Sequence, residues 1–176
     1  MTRIIGLEQE GVVYVGADSA AATRSLDIRQ TLVPKVFNNH NVIIGYTSSF
    51  RMGQLLQFMK IPKYDIADEK YMIVSFIPAI RKLFKEGGYS KIENNEEEGG
   101  DFIVGIQGKV YEIQSSFQVQ RYADGIASCG CGEEYAYGAM RALEHLDPID
   151  RITKSLEIAS YYSGGVMAPF TVLKTK

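Results

Sequence analysis

Three side chains near the start of the chain have the chemistry needed for nucleophilic catalysis. Met1 is normally removed when the next residue is as small as Thr, so we expect the mature chain to begin at Thr2. An N-terminal Thr carries a nucleophilic hydroxyl and an α-amine with a pKa of about 7.7–8.0, which can accept the hydroxyl proton at neutral pH. Asp18 adds a carboxylate, and Lys35 adds an ammonium group. These residue types indicate a hydroxyl nucleophile that has its own proton acceptor.

A predicted β-hairpin places Thr2 and Asp18 close to each other. Residues 3–7 are rich in β-branched side chains and predict a strand, Glu10-Gly11 predicts a turn, and residues 12–17 predict the returning strand. In an antiparallel hairpin, the start of the first strand lies beside the end of the second. Lys35 follows in an apolar run, just before another predicted hairpin.

Each of the three residues also has a purely structural interpretation. Thr2 would be an ordinary N-terminal residue. Asp18 would be a turn or capping residue, which is common after a strand. Lys35 would be a surface residue on an edge strand. These alternatives stay open for the three residues taken alone.

Composition argues against several classes of function. The 176 residues carry a net charge of −2, so no basic surface indicates nucleic-acid binding. The apolar runs are far shorter than the ~20 residues of a membrane span, and the first residues lack the apolar region of a signal peptide. Cys129 and Cys131 cannot build a disulfide framework, which favours a reducing, cytoplasmic location. Since His40, His145 and this Cys pair lack metal-ligand spacing, we expect no metal and no cofactor.

The remaining pattern alternates between strand pairs and helix pairs. Residues 42–46 predict a buried strand, and residues 50–59 predict a helix with an N-cap at Ser48-Ser49. Residues 65–85 predict a second helix that Pro78 kinks or splits. Its predicted buried face holds Ile73, Phe76, Ile77, Ile80 and Phe84.

The second half of the chain repeats this alternation. Residues 85–101 predict a solvated loop, with an acidic docking patch at Glu96–Glu98 as the alternative. A hairpin follows, then helices over 133–146 and 149–161 and a final strand over 170–173. Leu143 and Leu146 belong to the apolar stripe of the first of these helices. The order predicts one α+β domain, 1–176, with two packed sheets and helices outside.

Four further segments occur in an order typical of one family. They are Gly16-Ala17-Asp18-Ser19, residues 42–49, Gly130-Cys131-Gly132 followed by Tyr135-Ala136, and Tyr162-Ser163-Gly164-Gly165. Together with Thr2 and Lys35, they resemble proteasome β-subunits and the bacterial relative HslV from end to end. The resemblance implies the four-layer αββα sandwich of N-terminal-nucleophile hydrolases.

The resemblance also implies roles for individual residues. The Thr2 hydroxyl would attack the peptide carbonyl, Asp18 would hold Lys35 and the terminal amine, and Lys35 would favour the alkoxide. The backbone N–H of Ser48 would stabilise the oxyanion, and Cys131 and Ser163 would support the amine. The chain departs from the family in having Ser48 where a Gly is expected, Cys131 where a Ser is common, and Ser160 where an acidic residue is common.

The function implied is that of a threonine-type endopeptidase acting on unfolded polypeptides. Its copies would form a homo-oligomeric ring with the sites facing an inner chamber, and a separate ATP-dependent unfoldase is the implied partner, since this chain has no P-loop. One alternative is a catalytically impaired ring or assembly subunit, which Ser48, Cys131 and Ser160 favour. Another is an amidase acting on a small amide, although such enzymes more often begin with Cys or Ser.

Overall fold

The computed structural model describes residues 2–22, 27–93 and 95–175. The strands in these ranges are β1 (Arg3–Gln9), β2 (Val12–Ala17), β3 (Ala20–Ala22), β4 (Ile28–Gln30), β5 (Val36–Asn39), β6 (Val42–Tyr46), β7 (Lys91–Glu93), β8 (Glu96–Glu98), β9 (Phe102–Ile106), β10 (Lys109–Ile113), β11 (Val119–Gln120), β12 (Ile126–Gly130) and β13 (Thr171–Lys174). The helices are α1 (Phe50–Gln57), α2 (Glu69–Tyr71), a π-helical segment (Met72–Phe76), α3 (Ile77–Glu86), α4 (Glu133–Ala142) and α5 (Pro148–Tyr162).

Two antiparallel sheets form the centre of the fold. The first sheet has the strand order β12-β1-β2-β13, and the second has the order β11-β10-β9-β6-β5. The predicted first hairpin is present, with Ile4 opposite Ala17. On its other side β1 pairs with β12, and Arg3 lies opposite Gly130. The start of β1, the end of β2 and the end of β12 therefore meet at one end of the first sheet.

Apolar side chains fill three interfaces between layers. The inner interface, between the two sheets, contains the fully buried Ile4, Val15 and Ile103. The outer face of the second sheet packs on α1, the π-helical segment and α3. The outer face of the first sheet packs on α4 and α5. The layers follow the order αββα, which confirms the predicted fold class.

The helical region around Pro78 differs from the prediction. The helix begins at Glu69 rather than at residue 65, because the Asp68 side chain accepts a hydrogen bond from the Tyr71 N–H (2.8 Å) and caps it. The segment before Pro78 is π-helical, and Pro78 lies in the first turn of α3. A π turn holds an extra residue and shifts the helical phase. The predicted burial of Ile73 is therefore wrong, since its side chain is 51% exposed.

Three other element predictions need correction. The region predicted as a loop over 85–101 contains the short hairpin β7–β8, where Glu97 forms an ion pair with Arg81 (2.6 Å). Helix α1 ends at Gln57, two residues before the predicted end at residue 59, and Phe58 is its C-cap residue. Helix α4 ends at Ala142, so Leu143 and Leu146 lie in the turn that leads to α5 rather than on a helical stripe.

Two broader features follow from the described ranges. None of the helices found there is long and apolar enough to cross a membrane. Likewise, no group of three or more His, Cys, Asp and Glu side chains within residues 2–22, 27–93 and 95–175 is placed to hold a metal ion.

Candidate active site

The Asp18 carboxylate is the centre of the candidate site. Asp18 follows β2 and is 3% exposed. Its Oδ1 accepts hydrogen bonds from the Arg3 N–H (2.9 Å) and from the Lys35 ammonium (2.9 Å). Its Oδ2 accepts from the N–H groups of Ala20 (2.8 Å) and Met167 (3.3 Å). The carboxylate therefore joins the start of β1, the end of β2 and the segment before β5.

Lys35 is buried at the edge of the second sheet, immediately before β5. Its side chain is 1% exposed, so its structural interpretation as a surface residue is wrong. Burial lowers the pKa of Lys35, because desolvation disfavours the ammonium form, and the Asp18 carboxylate opposes that shift. Charged groups are rarely buried unless they are paired, and this pair satisfies that requirement.

Thr2 lies where the first sheet ends and is 7% exposed. Its carbonyl oxygen accepts a hydrogen bond from the Cys131 N–H (2.9 Å). Gly130 has a φ of 100°, and a Cβ at that position would overlap the Thr2 carbonyl oxygen. Only Gly permits this close approach at such a backbone angle, so the Gly130-Cys131-Gly132 segment fixes the backbone of Thr2.

Arg3 is a part of the site that the sequence analysis did not single out. Its side chain is fully buried, and its guanidinium donates to the carbonyls of Cys131 (2.7 Å) and Gly130 (2.6 Å) and to the Ser128 hydroxyl (2.9 Å). Burial lowers the pKa of Arg3. These bonds tie the end of β12 to the residue that follows Thr2. A cationic residue in an otherwise apolar strand was the available signal.

Ser48 lies in the turn between β6 and α1, beside Thr2. It has a φ of 58°, in the left-handed region that favours Gly, as expected at a position where the resemblance places a Gly. Its hydroxyl accepts from the Asp101 N–H (3.2 Å) and lies 3.0 Å from the Thr47 hydroxyl. Within the described part of the chain, the Ser48 N–H has no acceptor, so it stays able to donate. Asp101 is a further residue that the sequence analysis missed.

The two supporting residues lie close to the turn that holds Thr2. Cys131 is half-buried and contacts Thr2 through its backbone N–H. Ser163 caps the end of α5, and a Cβ on Gly132 would lie 3.0 Å from its Cβ. The Ser160 hydroxyl donates to the Glu157 carbonyl (2.7 Å). The structure thus brings Cys131 and Ser163 to one turn, whereas the hydroxyl of Ser160 is bonded within its own helix.

The second cysteine is part of the core. Cys129 is buried between the sheets, and burial raises its pKa well above the ordinary value of a thiol. A thiol that resists ionisation is a poor nucleophile and a poor redox group. Cys129 is therefore an unreactive residue of the core.

Comparison with known proteins shows which solved structures share this fold. No protein-family model matches the sequence, and a search of curated proteins finds no match. Solved structures do match along almost the whole chain. The BPH of Thiobacillus denitrificans, solved in complex with epoxomicin, has a TM-score of 0.81 at 16% identity and covers 99% of this chain and 98% of its own.

Two other solved structures extend the similarity. HslV from Trypanosoma brucei has a TM-score of 0.69 at 21% identity and covers 98% of both chains. Anbu, an ancestral beta-subunit from Yersinia bercovieri, has a TM-score of 0.69 at 10% identity and covers 99% of this chain and 81% of its own. The chain therefore has the proteasome and HslV type of N-terminal-nucleophile hydrolase fold.

Proposed function

We propose that this protein is a cytoplasmic threonine-type endopeptidase whose nucleophile is Thr2 after removal of Met1. One observation carries the proposal. A single carboxylate oxygen of Asp18 accepts hydrogen bonds from the N–H of Arg3, the residue after Thr2, and from the buried ammonium of Lys35. The ammonium is therefore held beside the beginning of β1, on a fold shared with HslV.

The proposed reaction needs only groups of this chain and water. The Thr2 hydroxyl attacks the carbonyl carbon of the substrate while the α-amine takes its proton. The Lys35 ammonium stabilises the developing alkoxide, and the Ser48 N–H donates to the oxyanion of the tetrahedral intermediate. The C–N bond then breaks, and the departing amine takes the proton from the α-ammonium. Water hydrolyses the resulting ester and restores the Thr2 hydroxyl.

The substrates we propose are unfolded polypeptides that enter the chamber of a homo-oligomeric ring. A free peptidase site on a small domain would cleave cytoplasmic proteins indiscriminately, and a chamber prevents this. A separate ATP-dependent unfoldase would deliver the substrates. Sedimentation velocity of the purified protein should give a species much larger than a dimer. A monomer at micromolar concentration would contradict the ring.

The nucleophile is tested by intact-mass measurement with epoxomicin, with which the Thiobacillus denitrificans BPH was solved. The protein should be released from a cleavable tag so that its chain begins at Thr2. We expect one adduct per chain and cleavage of an unfolded polypeptide. Thr2→Ala should lose both. Thr153→Ala, which removes an exposed hydroxyl on α5, should keep both.

The outcome that contradicts the peptidase is a folded protein beginning at Thr2 that neither takes the adduct nor cleaves the polypeptide. It would favour the impaired ring or assembly subunit. Two observations support that second candidate: Ser48 has the backbone angle of a Gly but carries a side chain, and the hydroxyl of Ser160 is bonded within its own helix. An adduct without polypeptide cleavage would instead favour an amidase that acts on a small amide.

A further inference from the structure

We infer that the hydroxyl of Ser48 is a positioning group, which holds the turn that carries the Ser48 N–H in place for the reaction. This inference rests on the proposed function, because that N–H is the proposed donor to the oxyanion. The chain has a Ser where the resemblance places a Gly, and the hydroxyl is a group that a Gly lacks. Its contacts therefore decide whether the Ser weakens the site or is a working part of it.

The pairing of β6 with β9 ends at this turn. Tyr46 lies opposite Phe102, so the next pair along the two strands is Thr47 and Asp101. In a hydrogen-bonded antiparallel pair, the two residues exchange both of their N–H···O bonds. The first of these bonds is present, since the Thr47 N–H donates to the Asp101 carbonyl (3.1 Å). The Thr47 carbonyl, however, accepts from the Ser49 N–H (2.6 Å), because the chain turns toward α1 there.

The Ser48 hydroxyl is the acceptor for the second donor of this pair. The Asp101 N–H donates to the Ser48 Oγ (3.2 Å), and the Thr47 hydroxyl lies 3.0 Å from the same oxygen. A side-chain oxygen thus takes the place that a main-chain carbonyl has in a regular pair. Gly100 leaves room for it, since a Cβ on Gly100 would lie 2.8 Å from the Ser48 Cβ.

Both partners of the hydroxyl belong to packed parts of the fold. The Asp101 Oδ1 accepts from the Ser115 N–H (2.9 Å), and Phe102, the next residue, is fully buried in β9. Thr47 is 5% exposed. The two contacts therefore fix the orientation of the peptide that carries the Ser48 N–H. Orientation matters because a donor stabilises an oxyanion only when it is about 2.7–3.1 Å from it.

The Ser48 side chain has two effects of opposite sign. Its φ of 58° is unfavourable for a residue with a Cβ, whereas its hydrogen bonds hold the turn. Ser48→Gly relieves the backbone angle and removes the bonds. If Ser48 were only a poor replacement for Gly, this change would raise activity. If the hydroxyl positions the donor, the same change lowers activity.

The first test measures kcat and KM of the protein beginning at Thr2 on fluorescein-labelled casein, an unfolded polypeptide. Ser48→Gly and Ser48→Ala should each lower kcat by about 10-fold and change KM by less than about 2-fold, since loss of an oxyanion donor costs about 10²–10³ in kcat and these changes only misplace it. His40→Gly is the matched control. His40 is exposed, has a φ of 57° and lies at the other end of β6, so its replacement should leave kcat unchanged.

The second test does not depend on peptidase activity. Hydrogen–deuterium exchange measures how well the Asp101 N–H is protected by its bond to the Ser48 hydroxyl. Ser48→Gly should speed its exchange by about 5-fold or more, as expected for the loss of one hydrogen bond. His40→Gly should leave that rate unchanged.

The possible failures are distinguishable. A Ser48→Gly variant whose kcat is raised or unchanged overturns the inference and leaves the peptidase standing. A Ser48→Gly variant in which the Asp101 N–H exchanges at its original rate also overturns the inference. If the unchanged protein shows neither an adduct at Thr2 nor any cleavage, the proposed function fails, and the inference fails with it whatever the exchange rates are.

Discussion

At the scale of single residues, the site depends on a charged pair removed from water. Lys35 and Asp18 have side-chain exposures of 1% and 0%. Removing one partner of a buried pair leaves an uncompensated charge, which typically costs about 3–5 kcal/mol. Three backbone N–H groups also donate to the Asp18 carboxylate. They offset part, but not all, of the free-energy cost of removing the Lys35 ammonium.

We predict strong coupling between these two residues. Lys35→Met and Asp18→Asn should each lower the free energy of unfolding by about 3 kcal/mol, and the double variant should lose at least 1 kcal/mol less than their sum. Urea denaturation of the four proteins measures this cycle. Additivity within about 0.5 kcal/mol would contradict the prediction.

An exposed ion pair provides the control for this cycle. Lys154 and Glu157 on α5 lie 3.2 Å apart with exposures of 59% and 51%. Solvent screens such pairs, so replacing either residue by Ala should change the free energy of unfolding by less than about 1 kcal/mol. The same two replacements should leave the reaction of Thr2 with epoxomicin unchanged.

At the scale of elements, the pairing of β1 with β12 sets the position of Thr2. Gly130→Ala puts a Cβ against the Thr2 carbonyl oxygen at a φ of 100°. We predict that it destabilises the protein by more than about 1–3 kcal/mol, since both a strained backbone angle and a steric overlap result, and that it abolishes adduct formation at Thr2. Thermal unfolding and intact mass measure the two effects.

A second Gly→Ala variant is the control for Gly130→Ala. It shows what the same substitution does to stability where the added Cβ meets no neighbouring atom. Gly138 lies inside α4, and a Cβ there would meet nothing within 4 Å. Gly138→Ala should therefore stabilise the protein by about 0.5–1 kcal/mol, because Ala loses less conformational entropy in a helix. If Gly130→Ala behaved like Gly138→Ala, the proposed role of the β12 turn would be wrong.

At the scale of the whole molecule, one buried carboxyl makes the stability depend on pH. Glu112 of β10 is 6% exposed, and its Oε2 has no hydrogen-bond partner among the described residues. Burial raises the pKa of Glu112 above its ordinary value of 4.5. The folded state therefore favours the neutral form. The stability that this provides is fully present below pH 4.5 and is lost as the pH rises through the raised pKa.

We predict that Glu112→Gln removes this pH dependence. The variant should be more stable than the unchanged protein at pH 7–8, and the difference should shrink as the pH falls toward 4.5. Urea denaturation at several pH values gives the difference directly. Glu93→Gln, on the exposed strand β7, should show no such trend. A Glu112→Gln difference that is constant with pH would exclude the mechanism.

Features that depend on neighbouring residues could be predicted from the amino-acid sequence. The alternation of β-branched runs and turn residues predicted the first hairpin and the hairpin β9–β10, and both are present. The ordered motifs predicted the αββα class and the HslV type of fold, and both predictions are confirmed. The proposed roles of Thr2, Asp18 and Lys35 stay predictions until the adduct is measured.

Contacts between side chains that are far apart in the chain depend on strand register and layer packing, so they became visible only in the folded structure. The π-helical segment moved Ile73 out of the core, a shift that a regular 3.6-residue period does not show. The bonds from Arg3 to Gly130 and Cys131 span more than 120 residues of chain. The Asp18 carboxylate likewise joins Arg3, Lys35 and Met167, which lie far apart in the chain.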